Sequence, residues 1–140
     1  ILKKSGFQWN NGLVVDKYLK TNFPDIFGAG DIINFPDPIF KVRRRVEHWG
    51  HAKYSGELAA ENMLGANKPY DLLTYVWSDF FNLHLEFAGF EKSYDEIKIK
   101  GNPQKCRFTA LYLKKNKLCA YLQINGSQNE RDELEKKIKS

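Results

Sequence analysis

Two runs near the C-terminus, "CRFTALYL" (106–113) and "KLCAYLQI" (117–124), constrain the fold more than anything else in the chain. Both are rich in β-branched, aromatic and leucine residues, and they are joined through "KKNK". Such a pair reads as a β-hairpin. With Lys115-Asn116 as a two-residue turn, Tyr112 should face Cys119 and Cys106 should face Asn125. One face would then collect Leu111, Leu113, Leu118, Ala120, Leu122 and Ile124 and should cover a core. The two cysteines would stand about six rungs apart, roughly 20 Å at strand rise. That is too far for a disulfide, so both are expected to be reduced, which fits an intracellular protein, cytoplasmic or mitochondrial.

The surroundings extend this sheet. "EIKIKG" alternates, with Ile97 and Ile99 on one face. Ser127 followed by Glu130 is a capping-box pattern that should open a last helix. That helix carries Leu134 and Ile138 as its main apolar contacts and Lys136, Lys137 and Lys139 at its C-terminus, where the helix dipole favours cations. Upstream, "VWSDFFNLHLEFAGF" is aromatic-rich, and "NKPYD" (67–71) reads as a turn and a boundary.

The first half has a different character. Residues 1–12 read as a helix end and a turn, and "LVVD" (13–16) as a short strand. "DIFGAGD" (25–31) reads as the next strand, and "NFPDPIFKVRRR" as a loop. A helix should begin around 46–48 and end at Leu64, with Gly65 just past its end. Ala52, Ser55, Gly56, Ala59, Ala60 and Met63 form a stripe of small residues on it, suited to close approach of a neighbour. Gly56 costs about 1 kcal/mol relative to Ala, which close packing there would offset. The fold class is α+β: a closing βα segment (1–66), too short to be a complete sheet, then a small antiparallel sheet with a terminal helix (67–140).

Gly30-Asp31 can be read in two ways. Asp31 can cap the next turn. Alternatively, Gly30 clears room for a ligand to approach the backbone and Asp31 accepts hydrogen bonds from ligand hydroxyls, at the end of a strand where open α/β sheets bind ligands.

Composition narrows the partners. With 42% hydrophobic and 14% aromatic residues, the chain should build a packed core. No apolar run approaches the ~20 residues of a membrane span. No secretory leader is expected, and the initial Ile suggests a piece of a longer chain. The net charge of +5 gathers in "KVRRR" (41–45) and "KKIK" (136–139). It reads first as a solubilising surface, with a pyrophosphate-side or targeting role for "KVRRR" as the other reading. His48, His51, Cys106 and Cys119 lack the paired spacing of a zinc site. The aromatic residues are scattered over many elements, so nucleic acid is not an expected partner.

The ordered motifs resemble one family. "TNFPDIFGAGD" (21–31) is similar to the second FAD-binding motif of two-dinucleotide-domain flavoproteins. "RRRVEHWGHAKYSGELAAENMLGANKPY" (43–70) resembles the following segment of apoptosis-inducing factor and ferredoxin-reductase-like flavoproteins. "VWSD" (76–79) is similar to their "FWSD", and residues from "LEFAGF" to "AYLQIN" resemble their C-terminal domain.

The resemblance implies an FAD-dependent NAD(P)H oxidoreductase that passes electrons to an acceptor, either a protein such as ferredoxin or a Rieske-type protein, or a small molecule. Gly30 and Asp31 would meet the FAD ribityl chain. Glu47 and His48 would lie by the flavin and nicotinamide, and Trp49 beside them, where relatives carry other residues. Trp77 would approach the isoalloxazine. No G-x-G-x-x-G occurs in the chain, so the ADP-binding unit and the NAD domain are expected upstream, and these residues should form one wall of the flavin site. The alternative is a non-catalytic binding or homodimerisation module.

Overall fold

A computed structural model describes residues 4–140, apart from the side chain of Ser93. The expectation for residues 1–3 lies outside the described residues. From residue 4 the chain makes turns, with Trp9 bridged to Leu13. The chain divides into two compact units, Ile1–Leu72 and Leu73–Ser140.

The first unit contains β1 (Leu13–Val14), β2 (Ile33–Asp37), β3 (Val42–Arg44) and helix α1 (Trp49–Met63). β1 pairs in parallel with β2, and β2 pairs antiparallel with β3. The core gathers Leu13, Val15, Leu19, Ile33, Phe35, Leu58, Ala59 and Tyr70. Two expectations are corrected here. The run at 26–29 is not a strand: Phe27 makes a lone bridge to Lys20, and Gly30–Ile32 form a single 3-10 turn that precedes β2. The segment read as a loop is instead the β2–β3 hairpin. Buried Asp37 stabilises its turn, accepting from the backbone N–H groups of Ile39 (2.8 Å) and Phe40 (3.1 Å) and pairing with Arg44 at 2.7 Å.

α1 matches its expected bounds. His48 is its N-cap, accepting from Gly50 N at 3.3 Å. Gly65 ends it at φ +91°, and the N–H groups of Gly65 and Ala66 return to the carbonyls of Asn62 and Glu61, a Schellman closure. Its buried face is His51, Ser55, Leu58, Ala59 and Asn62. Gly56 is exposed, with open space around it, so close packing does not explain it. Met63 is exposed as well.

The second unit is a five-stranded antiparallel sheet in the order β4-β5-β8-β7-β6, followed by α2 (Gln128–Lys139). The strands are β4 (Tyr75–Phe80), β5 (Leu83–Gly89), β6 (Glu96–Asn102), β7 (Arg107–Lys114) and β8 (Lys117–Ile124). Lys115 (φ 48°) and Asn116 (φ 64°) form the expected two-residue turn, in the left-handed conformation that suits strand twist.

The register slips one residue beyond that turn. Leu113 pairs with Leu118, but Tyr112 pairs with Ala120, leaving Cys119 as a bulge whose Sγ donates to the Tyr112 carbonyl at 3.2 Å. The expected Tyr112–Cys119 pairing is therefore corrected. The expected single apolar face is also divided. Leu111 and Leu113 share a face with Tyr121 and Gln123, which register opposite or beside them, while Ala120, Leu122 and Ile124 align with Tyr112, Ala110 and Phe108. Cys106 lies outside the strand, exposed, in a left-handed cap at φ 50°. Neither cysteine is disulfide-bonded.

α2 begins at Ser127, whose hydroxyl accepts from Glu130 N at 3.3 Å. The Glu130 carboxylate does not complete the box. It accepts from Thr109 Oγ1 at 3.1 Å and Gln123 Nε2 at 2.9 Å, tying α2 to the sheet alongside buried Leu134 and Ile138. Among the described residues, no helix is long and apolar enough to cross a membrane.

Candidate functional site

Five of the six predicted residues gather around the N-terminus of α1. Gly30 sits at φ +73°, a conformation other residues rarely adopt. Its N–H donates to Ser55 Oγ at 2.8 Å, and Ser55 in turn donates to the His51 carbonyl at 2.7 Å. A Cβ placed on Gly30 would meet only Ala52 Cβ, at 3.7 Å. Space therefore remains on the outer side of this turn, and its inner side is pinned to α1. The small residues Ala52 and Ser55 let the turn approach.

The Asp31 carboxylate is exposed and accepts no hydrogen bond among the described residues, so it caps no turn. Arg45 links the two motifs: its Nη1 donates to the Asp31 carbonyl at 3.1 Å and pairs with the Glu47 carboxylate. Glu47 is exposed, His48 is the half-buried cap, and Trp49 is 65% exposed, with Lys53 Nζ 5.4 Å from its ring centre. An α-helix N-terminus carries partial positive charge, so an exposed carboxylate and an exposed indole here flank an electropositive end.

His51 lies behind this surface, fully buried. It stacks on Phe35 (5.0 Å, 21°), and its Nδ1 is 2.8 Å from the Tyr70 hydroxyl. Burial holds its pKa below the ordinary histidine value, although the Gly30 backbone and Asp31 favour the charged form. His48 and His51 thus serve as a cap and a core residue, and the cysteines belong to the second unit. Among the described residues, no cluster of three or more His, Cys, Asp or Glu could hold a metal.

The "KVRRR" arginines have internal duties that their sequence gives no sign of. Arg43 Nη2 donates to the carbonyls of Val15 (2.7 Å) and Asn34 (2.6 Å), Arg44 pairs with Asp37, and Arg45 joins Asp31 to Glu47.

Trp77 is in the second unit, on β4. It is 39% exposed and stacks on Tyr75 (5.7 Å, 20°). Tyr75 donates to Glu86, which also accepts from Arg131 Nη1 at 2.8 Å. Burial would raise the Glu86 pKa, but hydrogen bonds from Tyr75, His84 and Arg131 outweigh it and hold the carboxyl below its ordinary range. Burial, and then the Glu86 carboxylate, push Tyr75 up to about 12. The sequence reading missed Ser55, Arg45 and this Glu86 cluster. Ser55 left a trace as a member of the small-residue stripe and Arg45 as the last residue of "KVRRR", but neither pattern shows the contact it makes.

Each half of the chain matches a known family. Residues 1–56 match the pyridine nucleotide-disulphide oxidoreductase family, and residues 75–133 match the reductase C-terminal family. In that order the two matches make the chain similar to the C-terminal part of FAD-dependent pyridine nucleotide oxidoreductases.

Among curated relatives, it is 32% identical to apoptosis-inducing factor 3 of Mus musculus over 79% of this chain and 18% of that protein. It is 29% identical to the ferredoxin reductase subunit of 5,5'-dehydrodivanillate O-demethylase from Sphingobium, over 89% of this chain and 31% of that protein. A ferredoxin reductase from Rhodopseudomonas palustris superposes with a TM-score of 0.86 at 28% identity, covering 93% of this chain and 32% of that one. The chain thus spans less than a third of these relatives' length.

Proposed function

We propose that this chain supplies one wall of the flavin site, and the C-terminal domain, of an FAD-dependent NAD(P)H oxidoreductase. Its electrons pass to an acceptor such as ferredoxin or a Rieske-type protein. The observation that carries this reading is Asp31: an exposed carboxylate that caps nothing, beside a positive-φ glycine with room on its outer side. A carboxylate so placed suits the hydroxyls of a ribityl chain, and the open Gly30 turn suits close approach of the cofactor to the backbone.

FAD, when bound, supplies the hydride and electron chemistry. The chain's own residues place it. Asp31 would accept from its hydroxyls. The α1 N-terminus, shaped by the His48 cap, favours negative charge at the facing ring. Glu47 and Trp49 would border it, and by the family resemblance Trp77 would also approach the ring. In this reading the first unit closes the FAD-binding domain and the second forms the interface domain.

The test is direct. Purified full-length protein should be yellow, with about one flavin per chain, and anaerobic NADH or NADPH should bleach it. A colourless protein that binds no added FAD would overturn the reading in favour of an interaction module.

A further inference from the structure

In the second unit His84 lies between two carboxylates. Its Nδ1 is 2.5 Å from Asp79 Oδ1, and its Nε2 is 3.2 Å from Glu86 Oε1. A neutral imidazole carries one N–H and can donate to one of them; only the imidazolium donates to both. Glu86 is the buried partner, 5% exposed, and it also holds the Tyr75 hydroxyl and Arg131. The Arg131 guanidinium lies 5.2 Å from the Tyr75 ring centre, on the ring that stacks on Trp77. A continuous line of contacts therefore runs from Asp79 through His84, Glu86 and Tyr75 to Trp77, and all but Asp79 line one open groove that Gln128 and Arg131 border from α2.

We propose that His84 is a positioning residue for Trp77: its imidazolium joins Asp79 to Glu86 and so fixes the Tyr75–Trp77 pair in one arrangement. The consequence for electron transfer rests on the reading above, in which Trp77 faces the flavin.

The groups that face this imidazole set the sign. β4 contributes Asp79 and the Tyr75 hydroxyl, β5 contributes Glu86, and α2 contributes Arg131, with Asp132 3.6 Å from its Nε. β8 contributes the neutral Gln123, opposite Glu86 in register, and just beyond the strand the neutral Asn125 accepts the His84 backbone N–H at Oδ1, at 2.8 Å. Asp79 and then Glu86 raise the His84 pKa above its ordinary value, against a smaller lowering by burial. A raised folded-state value means the joined arrangement is complete below the ordinary histidine pKa of about 6.5. It is lost as pH rises through the raised value.

Fluorine NMR of the full-length protein labelled with 5-fluorotryptophan tests this, with the Trp77 resonance assigned by its loss in Trp77→Phe. Between pH 5.5 and 9 that resonance should shift with a midpoint above about 6.5, and His84→Gln should abolish the shift. Asp79→Asn, at an exposed position that tolerates change, should move the midpoint down toward the ordinary value. A Trp77 resonance that does not titrate, or one that titrates unchanged in His84→Gln or Asp79→Asn, overturns the proposal.

The rate of flavin bleaching by NAD(P)H, followed over the same range, separates the two claims. If the resonance titrates and the rate does not follow it, the positioning role stands and Trp77 is not at the flavin.

Discussion

Asp31 is exposed, and its carboxylate meets no hydrogen-bond donor in the described chain, although Arg45 is close enough to donate to its backbone carbonyl. Asp37, six residues on, is buried, accepts two backbone N–H groups and pairs with Arg44. The fold uses one aspartate and leaves the other facing outward. Asp31→Ala should therefore leave stability within about 0.5 kcal/mol, as for most surface changes. In the full-length protein it should weaken FAD retention, because losing a hydrogen bond to a charged group costs about 1.5–3 kcal/mol, or roughly 10–150-fold. Dissociation constants from flavin fluorescence on titrating apoprotein with FAD decide this, and equal affinities in the two proteins would make Asp31 an ordinary surface residue.

Among the elements, those bounded by local chemistry were legible in the sequence. α1 ends where Gly65 adopts φ +91°, and α2 starts where the Ser127 hydroxyl accepts from Glu130 N. The Lys115-Asn116 turn was legible for the same reason. What was not legible depends on distant partners. β2 contains Pro36 and is followed by Pro38, so it reads as a loop, yet the Asp37–Arg44 pair holds it as a hairpin. The apolar run at 26–29 reads as a strand, but Ile33 and Asn34 occupy the pairing positions beside β1, and a Cβ on Gly28 would lie 2.8 Å from Ile33 Cγ2. The position of Gly30-Asp31 against α1 was not legible, since Ser55 and Arg45, which hold it, are remote in sequence. Glu130 also illustrates this, because its carboxylate goes to the sheet and not to the cap. Ser127→Ala should thus weaken the first turn of α2 by about 1 kcal/mol, seen as faster hydrogen exchange at Glu130. Glu130→Ala should also expose the buried amide of Gln123, whose Nε2 loses an acceptor. Equal exchange in the Ser127 variant would show that the sheet contacts alone hold this helix end.

At the scale of the molecule, 140 residues hold two compact units and no phosphate-binding glycine loop of the G-x-G-x-x-G type. Expressed alone, residues 1–140 should not retain FAD. Visible flavin absorbance after dialysis measures this, and stoichiometric bound flavin would refute it. The bulge at Cys119 bears on how this chain tolerates insertion and deletion. β8 carries one residue more than its ladder with β7 requires, because Leu118 and Ala120 pair with the adjacent residues Leu113 and Tyr112. Deleting Cys119 would leave a regular ladder with Tyr121 and Gln123 still opposite Leu111 and Thr109, at the cost of the bond from Phe90 N to the Cys119 carbonyl. Deleting Leu122 instead would turn the residues after it to the opposite side. Changes of chain length in this strand are therefore confined to one position, where a shorter descendant or designed variant can keep the same pattern of inward and outward side chains.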